Sequence, residues 1–401
     1  MDSIVVTGLG IVSALGTGVE ATVEHLLAGQ SGIGKIKYLD TRHCSLPAGE
    51  VPMDDSQMRE FLEISSEKAI TRTSLMGRIA LREAVMQAQL CSRPSRKVSL
   101  VSGTTVGGME KSERFYHDFL QNNERNEYIA LHDCGACTDM IAHEFPGMFD
   151  FQTTISTACS SAANAVILGA NLLHTGRADV VVAGGSECLS KFHLDGFHTL
   201  MILDEAPCKP FDKNRNGLNL GEGAAYIVME LAENAEKRGV TPLCRLSGYA
   251  NRCDAFHQTA SSPEGEGAYR SMMAALECAK LQPSEISYIN AHGTGTPNND
   301  ESEGKAMMRV FGTNVPPVSS TKAFTGHTTS AGGGVENVIS ILALTRDFIP
   351  ANLNFSEKIE SLNFVPVLKV QSHVQLQHVL TNSFGFGGND SSCIFSKIQS
   401  V

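Results

Sequence analysis

The chain has 401 residues, of which 42% are hydrophobic and 19% are charged, so it can bury a large core and form two domains or a duplicated one. Its formal net charge of -11 excludes non-specific binding to nucleic acid, which needs a basic face. The sequence has eleven scattered cysteines and no N-terminal signal-peptide pattern, so we expect a reduced, cytoplasmic setting. No apolar run reaches the ~18 residues that are needed to span a membrane.

The chain opens with a predicted buried strand over residues 4–7, which runs into the glycine-rich stretch TGLGIVSALGTG. Gly8 and Gly10 match two glycines of a dinucleotide-binding fingerprint, but Ser13 takes the place of the third. We therefore expect a tight structural turn here and no nicotinamide cofactor.

Apolar runs and helical periodicity then alternate along the chain, a pattern that is typical of α/β layers around a buried sheet. It predicts strands near residues 98–102, 180–183, 288–291 and 318–320, and helices over 67–90 and 268–281. Residues 208–243 are predicted to form a loop, a pair of strands and a charged helix that close a first half. We therefore divide the chain into an N-terminal half, residues 1–243, and a C-terminal half, residues 244–401.

Three cysteines were considered as metal ligands or as a nucleophile. Cys134 and Cys137 form one C-x-x-C, but no second pair stands at zinc spacing, so we assign no metal. Cys159 lies in STACSSAANA, directly before a predicted helix over residues 160–176 that is apolar on nearly every side. A helix N-terminus would lower the pKa of this thiol, whereas a buried cysteine also packs as a small hydrophobe, and this stretch alone leaves both roles open.

Three loops of the C-terminal half each follow a predicted strand and carry polar chemistry. YINAHGTGTPNND contains His292, SSTKAFTGHTTSAGG contains Lys322 and His327, and TNSFGFGGND places glycines around Phe386. Taken singly, these could be structural histidines, a solvated lysine and plain turns. Together with a cysteine, they suit nucleophilic acyl transfer with stabilisation of developing charge.

A faint internal repeat links the two halves. TACSSAANAVIL and TGHTTSAGGGVENVISIL each place a reactive side chain before a helix of small residues. This likeness suggests a duplication, with Cys159 and His327 facing one another across a pseudo-twofold axis.

The stretches STACSSAANA, NAHGTGTPNND, STKAFTGH and NSFGFGG together resemble the β-ketoacyl-acyl-carrier-protein synthases, the elongating ketosynthases of the thiolase superfamily. VVTGLGIVSALG and PFDKNRNGLNLGEGAA match the same family, so the resemblance covers nearly the whole chain. It implies a thiolase-like, five-layered α-β-α-β-α fold of two duplicated halves, with dimers formed through the first half.

The resemblance also implies an acyltransferase. Cys159 would take an acyl group from an acyl carrier protein as a thioester. His292 and His327 would promote decarboxylation of malonyl-carrier, whose carbanion attacks the acyl-cysteine and extends the chain by two carbons in fatty acid biosynthesis. No metal or organic cofactor is implied, because the phosphopantetheine arm belongs to the carrier.

Further roles follow from the matching motifs. The backbone N–H groups of Cys159 and Phe386 would form the oxyanion hole, and Phe386 would also gate the site. Lys322 and Glu336 would hold the second histidine in a charged network.

The remaining implied contacts concern the substrate and the partners. Thr294 and Thr296 would hydrogen-bond the phosphopantetheine arm, and Val106 would line an acyl pocket that reaches the interface of a homodimer, with a heterodimer of related subunits as the alternative. Carrier proteins are acidic, and so is this chain, so docking would need a local basic cluster. The candidates are Lys68, Arg72, Lys213 and Arg215.

The chain departs from the family pattern beside the expected site. GHTTSAGG stands where the family reads GHLLGAAG, and GFGGND puts Asn389 and Asp390 in place of Thr and Asn. The stretch between residues 196 and 210 is also shorter than in the fatty acid enzymes. These departures leave a ketosynthase for a specialised polyketide or aryl-polyene chain as an alternative.

Three other functions share the fold or the nucleophile. A thiolase needs a second cysteine near the C-terminus, and the late Cys393 lies past the glycine loop in a predicted strand. A non-catalytic chain-length partner subunit lacks the nucleophile that Cys159 supplies. A cysteine hydrolase would need water to reach the thioester.

Overall fold

The computed structural model describes residues 3–65, 68–90, 96–122 and 127–398. Its strands are β1 (Ile4–Ser13), β2 (Gly16–Thr17), β3 (Gly34–Lys35), β4 (Pro47–Ala48), β5 (Val98–Gly103), β6 (Phe151–Ile155), β7 (Val180–Glu187), β8 (Gly223–Leu231), β9 (Cys244–Cys253), β10 (Tyr288–Asn290), β11 (Val318–Ser319), β12 (Phe348–Ile349), β13 (Gln371–Ser372), β14 (His378–Gly385) and β15 (Asn389–Ser396). Its helices are α1 (Val19–Ala28), α2 (Asp55–Phe61), α3 (Arg72–Gln87), α4 (Met109–Asn122), α5 (Cys134–Ala142), α6 (Ser161–His174), α7 (Lys191–Thr199), α8 (Ala232–Arg238), α9 (Glu266–Ala279), α10 (Pro297–Phe311), α11 (Lys322–Thr325) and α12 (Gly332–Arg346).

The main sheet runs in the order β11-β10-β14-β15-β9-β1-β8-β7-β5-β6, with β2 paired to β1. The two halves of this order have the same topology. In the first half β5 lies parallel to β6 and β7, and β8 joins β7 to β1 by antiparallel pairing. In the second half β10 lies parallel to β11 and β14, and β15 joins β14 to β9 in the same way. The inner strands β1 and β9 pair antiparallel, with Val5 opposite Arg245.

Helices α6 and α12 lie between the two halves of the sheet and contact each other. Helix α3 covers the outer face of β1, β7 and β8, whereas α9, which contacts α10, covers β9 and β15. These contacts give the five α-β-α-β-α layers of the predicted thiolase-like fold. Because α6 and α12 have protein on every side, they are apolar nearly all round.

The glycine-rich stretch after residue 7 is not the tight turn that we expected, because β1 continues as a strand to Ser13. Gly8 and Gly10 lie inside this strand. A Cβ atom at either position would collide with a backbone carbonyl oxygen of α3, that of Ala84 or that of Ala80. The glycines therefore allow a close approach of helix and strand.

Most other predicted elements are confirmed: the four predicted strands correspond to β5, β7, β10 and β11, and the helix over 268–281 corresponds to α9. The helix predicted over 67–90 is shorter, since α3 begins after its N-cap Thr71, and Glu67 lies outside the described residues. The predicted pair of strands in residues 208–243 is wrong. Only β8 forms there, because residues 208–222 run irregularly, and residues 219–221 pair with the loop that carries His327. The boundary at residue 243 stays a prediction. No helix within the described ranges has the length and apolarity to cross a membrane.

Candidate active site

Cys159 lies in the turn between β6 and α6. The preceding residue, Ala158, has a φ of 51°, a left-handed conformation that is unusual for a residue with a side chain. Side-chain hydrogen bonds fix this turn: Ser161 Oγ donates to the carbonyl of Ala158 (2.6 Å), and Ser160 Oγ donates to that of Thr157 (2.8 Å). Cys159 is thereby held, buried, at the start of a helix.

Burial raises the pKa of the Cys159 thiol to about 11. The charge of Lys322 and hydrogen bonds from the backbone N–H groups of Phe386 and Cys159 lower it, but by less. Our expectation that the helix N-terminus would produce a low pKa is therefore wrong, because desolvation outweighs it. The two N–H groups converge on the sulfur, as an oxyanion hole beside this thiol requires.

His292 follows the end of β10, and its backbone and its ring are both held. Its backbone N–H donates to Glu303 Oε1 (2.9 Å), and that of Gly293 donates to Glu303 Oε2 (2.8 Å). Its Nδ1 lies 3.2 Å from Lys322 Nζ. Burial, then the charge of Lys322, holds the pKa of His292 well below its usual value, so the imidazole is neutral. Because the ammonium donates to Nδ1, the ring hydrogen is on Nε2.

Lys322 and Glu336 form a buried ion pair. We expected this pair to hold the second histidine, but the hydrogen bond of Lys322 goes to the first, His292. Lys322 begins α11 three residues after the end of β11, and His292 lies two residues after the end of β10. Because β10 and β11 are parallel neighbours, these two ends bring Lys322 to His292. Burial raises the pKa of Glu336 to about 7, although Lys322 opposes this.

His327 precedes α12, as Cys159 precedes α6. Its backbone N–H donates to the carbonyl of Asn219 (2.7 Å), and its ring meets that of His292 edge to face at 5.3 Å between centroids. Burial and the charge of Lys322 hold its pKa well below the usual value, so this imidazole is neutral too. Among the described residues, Nδ1 of His327 has no hydrogen-bond partner.

One cavity of about 300 Å³ brings these groups together. Cys159, His292 and His327 line it, and so do the predicted substrate contacts Thr294 and Thr296. The two threonine hydroxyls lie 2.9 Å apart. Such a cavity suits a slim, extended arm that ends in a reactive group.

Aromatic rings form one wall of the same cavity. Phe386, between β14 and β15, stacks on Phe197 of α7 at 5.8 Å between centroids, and Phe384 lies 5.7 Å from the ring of His292. Val106 is not among the residues that line this cavity. It is buried in the loop after β5, where its backbone N–H lies 3.4 Å from Glu187, and its role in an acyl pocket stays a prediction.

Three residues that sequence reasoning missed support the site. Glu303 anchors the loop of His292, and Phe197 supports Phe386. Asn389 Oδ1 accepts hydrogen bonds from Ser160 Oγ (2.9 Å) and Asn164 Nδ2 (2.6 Å), so β15 is tied to the turn that carries the cysteine. Glu303 lies three residues beyond the stretch NAHGTGTPNND, Asn389 was marked by its departure from the family pattern, and Phe197 carried no signal in the sequence.

The candidate docking residues do not form a basic cluster. Arg72 is buried and paired with Glu222 (2.6 Å), so the prediction that it binds a carrier is wrong. Arg215, with 6% of its side chain exposed, donates to backbone carbonyls near the site, and Lys213 pairs with acids of the 357–360 segment. Lys68 is exposed.

Comparison with known proteins gives consistent matches. Residues 1–235 match the family model described as "Beta-ketoacyl synthase, N-terminal domain", and residues 243–356 match "Beta-ketoacyl synthase, C-terminal domain". A "3-oxoacyl-[acyl-carrier-protein] synthase 2" of Staphylococcus aureus is 30% identical over 99% of this chain and 98% of its own length. One of Coxiella burnetii is 33% identical, with 98% of both chains covered. The solved structure titled "The ishigamide ketosynthase/chain length factor" superposes with a TM-score of 0.92 at 29% identity, covering 99% of this chain and 100% of that chain.

Proposed function

The chain belongs to the β-ketoacyl synthase family, and from this premise we propose that it condenses a malonyl group on an acyl carrier protein with an acyl group held on Cys159. The observation that carries the proposal is the convergence of Cys159, His292 and His327 on one cavity. A covalent acyl-enzyme divides a difficult condensation into two easier steps.

The first step is acyl transfer. The sulfur of Cys159 attacks the thioester carbonyl of the acyl carrier, and the oxyanion forms within reach of the N–H groups of Cys159 and Phe386. The C–S bond to the phosphopantetheine thiol breaks, and that thiol leaves with the proton of Cys159. Because burial favours the protonated thiol at neutral pH, Cys159 must lose its proton on the way to the acyl-enzyme.

The second step is decarboxylation and condensation. The bond between the malonyl α-carbon and its carboxylate breaks, CO2 leaves, and the electron pair becomes an enolate. Neutral His292 and His327 donate to the enolate oxygen, where the negative charge develops. The carbanion attacks the acyl-cysteine carbonyl, the bond to Cys159 breaks, and the 3-oxoacyl product stays on the carrier. Cys159 leaves as a thiolate and takes up one proton from solvent, which restores the thiol for the next cycle.

The arrangement disfavours the other functions that the sequence left open. The second cysteine of a thiolase has no counterpart, since Cys393 is fully buried within β15 and does not line the cavity. Cys159, both histidines and Lys322 are all in place, which a non-catalytic chain-length subunit does not require. A hydrolase must admit water to the acyl-cysteine, whereas the rings of Phe197, Phe384 and Phe386 line this cavity and make its wall apolar.

We assign the extended chain to fatty acid biosynthesis, on the two relatives named as 3-oxoacyl-carrier synthases. The specialised polyketide or aryl-polyene alternative stands beside it, supported by the superposition on a ketosynthase and chain length factor. We further propose that the partners are an acyl carrier protein and a second subunit, in a cytoplasmic homodimer. The reaction uses no cofactor besides the arm of the carrier.

Acyl loading tests the proposal. The purified protein is mixed with acyl carriers of graded length and unsaturation, and its intact mass is measured after quenching. We expect one acyl adduct per chain in wild type and in Cys278→Ser, which changes an exposed cysteine, and none in Cys159→Ala. The preferred donor distinguishes the two pathways. Absence of an adduct from every donor, with the fold intact, would contradict the proposal.

A further inference from the structure

Asn298 joins two segments of the wall of the cavity that contains Cys159. Its side-chain Oδ1 accepts a hydrogen bond from the backbone N–H of Ser261 (2.8 Å), and its Nδ2 donates to the carbonyl of the same residue (3.1 Å). A side-chain amide offers a donor and an acceptor as a peptide group does, so this pair resembles the pairing of neighbouring β-strands. Both residues line the cavity. The two hydrogen bonds therefore connect parts of its wall that lie 37 residues apart in the chain.

The segment that carries Asn298 is fixed in place. Asn298 lies in the first turn of α10, where the buried carboxylate of Asp300 accepts a hydrogen bond from the backbone N–H of Phe211 (2.7 Å). Arg215, whose side chain is 6% exposed, donates to the carbonyl of Pro297 (2.7 Å). The start of α10 is therefore held by a carboxylate and a guanidinium that are themselves shielded from solvent.

The other segment is a surface loop. We call residues 254–262 the mouth loop, because residues 259–261 line the cavity. The ends of this loop are tied together, since the carboxylate of Asp254 accepts hydrogen bonds from the backbone N–H and the hydroxyl of Ser262 (both 2.7 Å). Residues 255–259 between these ends are exposed. Surface loops of this kind move more than the elements that flank them.

Two contacts hold the exposed part of the mouth loop to other parts of the cavity wall. The carbonyl of Gln258 accepts a hydrogen bond from the backbone N–H of Gly387 (2.7 Å), and Ser261 is bound by the amide of Asn298. The bonds to Asn298 are exposed, so water competes for both partners and their net contribution is modest. The contact between the mouth loop and α10 can therefore open and close again.

We propose that Asn298 is a specificity-determining residue, whose amide holds the mouth loop against α10 so that the cavity admits the slim arm of a carrier and excludes wider groups from Cys159. The identity of the arm rests on the proposed function, whereas the closure of the loop does not. When water replaces the two hydrogen bonds, the mouth loop leaves α10, and the cavity widens between Ser261 and Asn298.

The first test needs no carrier and does not depend on the proposed function. Cys159 is alkylated with iodoacetamide, a small reagent, and with N-phenylmaleimide, which carries an aromatic ring, and the mass of the peptide that contains Cys159 gives both rates. The ratio of the two rates within one protein cancels any change in the reactivity of the thiol. We expect the ratio of the N-phenylmaleimide rate to the iodoacetamide rate to rise about 5–10-fold in Asn298→Ala, because two hydrogen bonds that close the loop are lost.

The second test uses acyl loading and rests on the proposed function. In wild type this part of the wall is formed before the arm arrives, whereas Asn298→Ala must order the mouth loop during binding. The KM for an acyl carrier should therefore rise about 5–10-fold, while the maximal loading rate stays within about twofold of wild type because Cys159 and its oxyanion donors are unchanged. A wild type that loads no donor would refute the proposed function and leave the alkylation test valid.

Two further variants make the outcome decisive. Asn298→Asp keeps the shape and the acceptor but lacks the donor to the carbonyl of Ser261, so its ratio of alkylation rates should lie between those of wild type and Asn298→Ala. Asn363→Ala removes an exposed amide that donates to the carbonyl of Gly312 (3.2 Å) at the other end of α10, and it should follow wild type in both tests. An unchanged ratio of alkylation rates in Asn298→Ala, or an unchanged KM, would overturn the proposal. So would an Asn298→Asp variant that equals wild type, because the side chain would then act by filling space and not through its amide.

Discussion

The buried pair of Lys322 and Glu336 allows a quantitative test of how the site is built. The two side chains are 2% and 3% exposed, and Oε2 of Glu336 has no hydrogen-bond partner among the described residues. Lys322→Met leaves that carboxylate alone, and breaking a buried pair in this way costs about 3–5 kcal/mol of unfolding free energy. The double variant Lys322→Met/Glu336→Leu removes both charges, and we expect it to lie within ~1.5 kcal/mol of wild type.

The deficit of the single variant should depend on pH. The pKa of Glu336 in the folded protein, about 7, lies above its ordinary value of 4.5, so stability falls as pH rises between these values. In Lys322→Met the pKa of Glu336 in the folded protein rises further, so the stability of this variant continues to fall at pH values above 7. Relative to wild type, the deficit of Lys322→Met should therefore stay level below pH 6 and grow by about 1.4 kcal/mol per pH unit above pH 7.

Urea unfolding followed by far-ultraviolet circular dichroism at pH 6, 7, 8 and 9 measures these differences. Wild type, Lys322→Met, Glu336→Leu and the double variant complete a double-mutant cycle. A coupling energy under ~1 kcal/mol would refute the ion pair as a buried element of the site. A deficit of Lys322→Met that is equal at pH 6 and pH 9 would refute the reasoning about the proton of Glu336.

Three further predictions concern catalysis. His292→Ala should still load acyl groups, but its condensation rate should fall about 10²–10³-fold because one hydrogen-bond donor to the enolate is gone. The single-turnover decay of the acyl-enzyme after malonyl-carrier is added measures this rate. A decay rate equal to that of wild type would exclude His292 as a donor to the enolate. Asn389→Leu should slow acyl loading about tenfold, because Ser160 and Asn164 lose the acceptor that holds the turn of Cys159. Asn389→Asp keeps an acceptor oxygen and should load at the wild-type rate. Equal loading rates in both variants would contradict this prediction. Phe386→Ala keeps the backbone N–H but loses the stack on Phe197, so it should change the preferred donor length more than the loading rate, as a donor panel shows.

Much of the fold could be predicted from the sequence, because buried parallel strands and all-apolar helices leave strong local patterns. The glycines at residues 8 and 10 show where this fails. Glycine is needed at both positions because α3 crosses β1 closely, and that contact joins residues 70 or more positions apart. A local pattern of glycines cannot separate such an approach from a turn.

For the site, the sequence predicted which residues would come together but not their burial or their pKa values. The motifs identified Cys159 and both histidines, and the structure brings them into one cavity. The high pKa of the thiol was not predictable, because desolvation depends on the whole tertiary structure. The sequence could not show that Arg72 is buried, because its ion pair with Glu222 joins residues that are far apart in the chain.

We propose that Cys159 and the two histidines perform one condensation in two steps. The most direct measurement starts from isolated acyl-enzyme and adds malonyl-carrier labelled with ¹³C in the free carboxyl group. We predict that each acyl group lost from Cys159 is matched by one labelled CO2 and by one carrier-bound chain that is two carbons longer. Loss of the acyl group as free acid, or release of CO2 without a longer chain, would contradict the claim.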